Sequence, residues 1–131
     1  MSTNKTVLAI DDEPGVTSLV MALCEQLNHR CIIAHNGEDG YNKAIVHKPD
    51  LILLDVNMPV KGGIETLKML KENPAVNNTP VIVLTAREEE AKQALELGAN
   101  KHIPKPFHIS DLLQTLTQIL SCFIGCNLIF D

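Results

Sequence analysis

Aromatic side chains are scarce in this chain. Among 131 residues there are three Phe, one Tyr and no Trp. A base-stacking surface needs more than that, so the core has to be made of Leu, Ile, Val and Ala. Positive charge is also in short supply. Eleven Lys and Arg stand against 16 Asp and Glu, for a formal net charge of −5. Non-specific nucleic-acid binding needs a basic face, so no nucleic-acid partner is expected for this segment. The four cysteines, Cys24, Cys31, Cys122 and Cys126, form no CxxC pair, and Cys24 and Cys31 lie among apolar residues. They read as reduced core thiols. The opening "MSTNKT" is polar and short, unlike a secretory leader, and a cytoplasmic setting is expected. No apolar run is long enough to cross a bilayer, the broken tail "CFIGCNLIFD" (122–131) included, so no membrane contact is expected. No glycine-rich phosphate cradle follows the first apolar run. The "DDEPGV" found there is acidic and repels phosphate unless a cation intervenes.

What is present is a regular alternation. Short apolar runs "TVLAI" (6–10), "RCIIAH" (30–35), "DLILLD" (50–55), "VIVLT" (81–85) and "KHIP" (101–104) read as strands. Between them lie segments of helical periodicity. Val16, Leu19, Val20, Leu23 and Leu27 follow Pro14, a first-turn residue. Residues 38–47 form a weaker pattern with Tyr41, Ala44 and Ile45 on one side. Ile64, Leu67 and Leu70 follow the Gly62–Gly63 loop and stop before Asn73–Pro74. Residues 88–97 are acidic and Ala-rich, with Gly98 as a C′ residue. Ser110 is the expected N-cap of a last helix carrying Leu112, Leu113, Leu116, Ile119 and Leu120 inward. Five β-then-α units predict one α/β domain, a parallel sheet covered by helices on both faces. Residues 1–121 form it, and 122–131 extend the last helix or begin a linker.

In such sheets ligands sit beyond the carboxyl ends of the strands. Asp11, Asp12, Asp55 and Thr85 fall at such ends, and Lys105 lies just past the fifth strand. Singly these are weak signals. Asp11–Asp12 could cap a helix, Thr85 could end a strand, and Lys105 could be a solvated charge. Together they describe a site. Crowded carboxylates need a cation, and oxygen ligands with open positions suit Mg2+. Lys105 supplies a second positive charge and Thr85 a hydroxyl. The pattern predicts phosphoryl transfer onto a carboxylate, with Asp55 the best nucleophile.

The chain resembles the response-regulator receiver domains of bacterial two-component signalling, chemotaxis regulators among them. The likeness covers residues 5–121. It rests on "DDE" after the first strand, DxxMPxxxG from Asp55 to Gly63, Thr85–Ala86 and "KPF" at Lys105–Phe107. The resemblance implies a doubly wound, flavodoxin-like sheet of order 2-1-3-4-5 and a cis Lys105–Pro106 bond. It implies phosphate transfer to Asp55 from a phosphohistidine on a histidine kinase or phosphotransfer protein. Mg2+ would be held by Asp11, Asp12, Asp55 and the Asn57 carbonyl, with Asp12 the closer of the first two acids. Thr85, Ala86 and Lys105 would bind the phosphoryl group. Asn57 and Arg87 would tune its lifetime. The family's aromatic switch position is His102 here, a smaller group that titrates near neutrality. An effector domain or target protein would read the face of residues 86–121, and a homodimer could form through 88–121. The chain would catalyse its own phosphorylation and dephosphorylation without being a turnover enzyme. Two rival readings are a phosphatase-like hydrolase, which wants alternating rather than adjacent acids, and a flavodoxin-like nucleotide binder. A third is a degenerate receiver that only binds proteins, against which the complete acid–Thr–Lys set speaks.

Overall fold

A computed structural model describes residues 4–58 and 62–121. Pro59 of the DxxMPxxxG pattern and the 122–131 tail lie outside the described residues. The elements alternate strictly: β1 (Thr6–Ile10), α1 (Pro14–Gln26), β2 (Arg30–Ala34), α2 (Gly37–His47), β3 (Leu51–Asp55), α3 (Gly63–Glu72), β4 (Val81–Thr85), α4 (Glu88–Glu96), β5 (Lys101–Pro104) and α5 (Ile109–Ser121). All pairings are parallel, in the order β2-β1-β3-β4-β5. This is the doubly wound, flavodoxin-like sheet expected, with the order reversing between β1 and β3.

The central strands are apolar at every position because both sheet faces are covered. Successive residues point to opposite faces. Leu8, Ile10, Ile52, Leu54, Val81 and Val83 pack with Ala44, Leu67, Leu70 and Ala94 from α2, α3 and α4. Val7, Ala9, Leu51, Leu53, Ile82 and Leu84 pack with Val20, Leu23, Leu112, Leu116 and Leu120 from α1 and α5. Each fully buried Leu or Ile contributes roughly 1.5–3 kcal/mol, which makes these two layers the main source of stability.

Local signals set the boundaries. Pro14 opens α1, and Asn36 caps α2 by accepting from the Asp39 N–H at 2.8 Å. Gly98, at φ 113, ends α4 in a left-handed residue. Its N–H donates to the Leu95 carbonyl and that of Ala99 to Ala94, the paired closure that favours glycine. Gly63 answers a different need. A Cβ there would stand 2.4 Å from the Asp55 carbonyl oxygen and 2.4 Å from Val56 Cα, so α3 can start against β3 only without one. Gly63 is thus the first residue of α3 rather than part of the loop.

Other boundaries also differ from the sequence reading; α2 begins at Gly37 rather than at 38 and α4 ends at Glu96 rather than at 97. β2 stops at Ala34 rather than His35, because the Asp11 N–H closes the ladder on the Ala34 carbonyl and Asn36 already caps α2. β3 begins at Leu51, since Asp50 turns its carboxylate to the Thr6 N–H at 2.8 Å. Ser110 is not the N-cap of α5. The helix starts at Ile109, where Asp111 and Leu112 N–H donate to the His108 carbonyl. The Asp111 carboxylate reaches back to the His108 N–H at 3.3 Å, so an acid inside the first turn takes the capping role.

Candidate functional site

β1, β3, β4 and β5 are consecutive neighbours in the sheet, so their carboxyl ends share one rim. Asp11 is the first residue after β1, Asp55 the last of β3 and Thr85 the last of β4, and Lys105 follows β5. The Lys105 N–H donates to the Thr85 carbonyl at 3.1 Å. The Lys105–Pro106 bond is cis, as expected.

Asp11 and Asp55 are buried, at 1% and 2% exposure, while Asp12 faces solvent. One carboxylate oxygen from each of the three lies within 4.8 Å of the others. Two are anchored by backbone. Asp11 Oδ1 accepts from the Glu13 N–H at 2.9 Å, and Asp55 Oδ1 accepts from the Asn57 N–H at 3.0 Å. Lys105 reaches into the cluster. Its Nζ is 2.9 Å from Glu13 Oε1, 3.3 Å from Asp11 Oδ2 and 3.6 Å from Asp55 Oδ1. A cleft of 270 Å³ opens beside it, lined by Asp12, Glu13, Asp55, Asn57, Ala86 and Lys105.

The electrostatics follow from this crowding. Burial pushes the Asp11 carboxyl up to about 7, against the Glu13 hydrogen bond, and the Asp55 charge pushes the same way. Burial alone would lower the Lys105 ammonium, but its bond to Glu13 and the charges of Asp11 and Asp55 raise it above the ordinary lysine value. Opposite charge within a few ångströms favours the charged form. One ammonium cannot neutralise three clustered acids and Glu13. The donor set is all oxygen, partly exposed and short of positive charge, which fits a hard divalent cation. The Asp11/Asp12/Asp55 cluster could hold one.

Thr85 is fully buried, and its hydroxyl is heavily used. It accepts from the Arg87 N–H at 3.1 Å and from Asn57 Nδ2 at 3.3 Å, and donates to Glu90 Oε1 at 3.3 Å. Arg87 is exposed, and its side chain turns to Glu90, with Nη1 3.6 Å from Oε2. His102 Nε2 lies 3.2 Å from the Thr85 backbone carbonyl. A carbonyl can only accept, so Nε2 carries the hydrogen in that contact.

Every candidate site residue named from the sequence therefore lies on this rim or in bonded contact with it. Arg87 and His102 meet it through Glu90 and Thr85. Two residues were missed. Glu13 holds Lys105, and Glu90 holds Thr85. Glu13 was visible as the third acid of "DDE". Glu90 ends the acidic run 88–90, and its offset from Thr85 places it in the first turn of α4.

Comparison with known proteins agrees with this geometry. The profile of the response regulator receiver domain matches residues 7–117. The transcriptional regulatory protein CpxR of Escherichia coli is 42% identical over 116 residues, 87% of this chain and 48% of CpxR. The chain thus spans about half the length of that curated relative. The chemotaxis response regulator CheY4 of Vibrio cholerae superposes with a TM-score of 0.83 at 30% identity, over 89% of this chain and 99% of CheY4. The response regulator Rcp1, solved in a Mn(2+)-bound form, superposes with a TM-score of 0.73 at 29% identity, over 92% and 94% of the two chains. With the parallel sheet, the acidic rim and the matched span in agreement, the chain belongs to the response regulator receiver domain family, whose function is phosphoacceptance in two-component signalling.

Proposed function

We propose that Asp55 is the phosphoacceptor of this chain and that Mg2+ is the ion its acidic cluster takes. The observation that carries this reading is the convergence of three carboxylates with the Lys105 ammonium 3.6 Å from Asp55 Oδ1. The ligands would be Asp11, Asp12, Asp55 and the Asn57 carbonyl. The Mn(2+)-bound form of Rcp1 supports a divalent ion here. When bound, the ion offsets charge on the carboxylates and on the phosphoryl oxygens.

The reaction is a displacement at phosphorus. A carboxylate oxygen of Asp55 forms a bond to the phosphorus of a phosphohistidine, the N–P bond breaks, and the imidazole leaves. Lys105 sits where it can neutralise the transferred group. The Thr85 hydroxyl and the Ala86 backbone N–H would donate to the phosphoryl oxygens once Thr85 leaves Glu90. Positioning and charge carry such transfers. Asn57 and Arg87 would set how readily water attacks the product, and His102 would hold the Thr85 backbone while the hydroxyl moves.

The donor would be a histidine kinase or phosphotransfer protein, in the cytoplasm. Residues 1–121 would be the receiver unit, with 122–131 extending the last helix or beginning a linker. Because the chain spans about half of CpxR, an effector domain or a separate target would read residues 86–121, or a second copy would pair through 88–121. The test is incubation with Mg2+ and acetyl phosphate, read by intact mass and peptide mapping. A phosphoryl adduct on Asp55, absent in Asp55→Asn and absent with a chelator, is expected. Wild-type protein that stays unmodified overturns the assignment.

A further inference from the structure

Glu13 is neither the nucleophile nor one of the three clustered acids, yet it is the nearest of the acids around Lys105. It is the N-cap residue of α1, a position where a side-chain oxygen ordinarily bends back to the first-turn N–H groups. Glu13 makes no such side-chain bond. Its backbone alone opens the helix, the carbonyl accepting from the Val16 N–H at 3.1 Å and the Thr17 N–H at 3.3 Å. The carboxylate instead crosses the rim and accepts a hydrogen bond from Lys105 Nζ at 2.9 Å, over 92 positions of chain.

The acids therefore compete for one ammonium on unequal terms. Lys105 donates to Glu13 at 2.9 Å and to Asp11 at 3.3 Å. Asp55, at 3.6 Å, is met by the charge without a hydrogen bond. Short charge-assisted bonds are the strong ones, so the best bond of the ammonium is aimed away from the phosphoacceptor. Asp11 Oδ1 is already taken by the Glu13 N–H, and a divalent ion would draw on the rest of that carboxylate. Glu13 is left as the partner that decides where the ammonium rests. The place matters. Glu13, Ala86 and Lys105 line the acidic cleft and also a groove of 400 Å³ that Val16, Pro106 and Phe107 complete. The Glu13–Lys105 bridge stands on the wall the two share.

We propose that Glu13 is a positioning residue that tethers Lys105 at this wall and thereby slows phosphorylation of Asp55. The inference rests on the phosphoacceptor reading. Glu13 makes and breaks no bond to phosphorus. It acts through Lys105, whose ammonium has to loosen its bond to Glu13 before it can close on the oxygens of the incoming group. The work of loosening is added to the barrier. Glu13 is 60% exposed, so water screens the pair, and its loss should raise the rate about two- to fivefold rather than by orders of magnitude.

Two substitutions separate the contact from the charge. Glu13→Asp keeps the charge on a side chain one methylene shorter. Asp is also a favoured N-cap, so its carboxylate turns to α1 and leaves Lys105. Glu13→Ala removes contact and charge together and forfeits no capping bond, since Glu13 makes none. Thermal melts of both should stay close to wild type. The full chain with Mg2+ is mixed with acetyl phosphate, and the adduct on Asp55 is followed in time by intact mass and peptide mapping. Both variants should be modified about two- to fivefold faster than wild type. A second readout is independent of phosphate. In metal-free protein with isotope-labelled lysine, the Lys105 Nζ–H signal is assigned by its loss in Lys105→Arg. Its exchange with water should be slow in wild type, where Glu13 holds it, and faster in Glu13→Asp. The inference is overturned if Glu13→Asp is modified no faster than wild type. A gain confined to Glu13→Ala overturns it too, because Glu13 would then be a repelling charge and not a tether. It is equally overturned if Lys105 exchange is the same in wild type and Glu13→Asp. A wild type that takes up no phosphoryl group removes the phosphoacceptor reading and this inference with it. A wild type modified on Asp55 with variants no faster removes this inference alone.

Discussion

Replacing Asp11 with Asn should make the metal-free protein more stable. Asp11 is 1% exposed, and burial, with the Asp55 charge adding to it, pushes its carboxyl from 3.8 to about 7. Between those two values the native protein holds a proton that the unfolded chain has lost. Stability of the wild type therefore falls as pH rises through this window, and above pH 7 the full cost of the buried charge is present. A gap of about three units at 1.36 kcal/mol each sets a ceiling of about 4 kcal/mol. The amide keeps an oxygen for the Glu13 N–H, but Lys105 loses one of its three acidic partners. We expect a net gain of about 2 kcal/mol at pH 8, half the ceiling. With a urea slope of about 1–3 kcal/mol/M, the midpoint in EDTA should rise by about 1 M. The gain should shrink toward pH 4, where the wild-type carboxyl is protonated. Mg2+ at about 100 times its Kd should restore about 2.7 kcal/mol to the wild type and much less to Asp11→Asn. A variant no more stable than wild type at pH 8 in EDTA would falsify the electrostatic account of this cluster.

Other perturbations test other joints of the structure. Gly63→Ala should cost about 1–3 kcal/mol, because its Cβ would meet the Asp55 carbonyl and Val56 Cα at 2.4 Å, whereas Gly62 has nothing within 4 Å and Gly62→Ala should be near neutral. Thermal melts of the pair decide this, and equal losses would refute the packing argument. Glu90→Ala, which removes the acceptor, should free the Thr85 hydroxyl and speed Asp55 phosphorylation by acetyl phosphate about two- to tenfold, the worth of one modest hydrogen bond; unchanged single-turnover rates would remove Glu90 from the switch. His29 is held below its ordinary 6.5 by burial, and its Nδ1 accepts from the Lys5 N–H at 3.0 Å. Its contribution is complete above pH 6.5 and is lost as pH falls toward its lower native value. Urea midpoints in the Asp11→Asn background should therefore drop with acid, and His29→Gln should flatten that slope.

The rim was legible because its chemistry sits where strands end. Four uninterrupted apolar residues before Asp55 marked both a strand buried on two faces and the point where the chain leaves the core. The same logic located Asp11, Thr85 and Lys105. Helix starts were harder to place where two polar residues compete. Ser110 is a good cap in isolation, yet Asp111 captured the role by bonding the His108 N–H. Glu13 and Glu90 were missed because an exposed acid in an acidic run carries no sign of its partner until the fold brings Lys105 or Thr85 to it. The tight reversal from α1 into β2 was hidden for a related reason. Spacing alone does not reveal that a left-handed Asn28 turns the strand back beneath the helix.

Lys105 meets Asp11 across 94 positions of chain. A polypeptide emerging from the ribosome amino end first displays its acids early and alone. The ammonium that balances them arrives only when the fifth strand docks beside Thr85. Incomplete or nicked molecules carry the aspartates without their counter-charge. The balanced acidic rim is thereby a feature of the completed and closed domain alone.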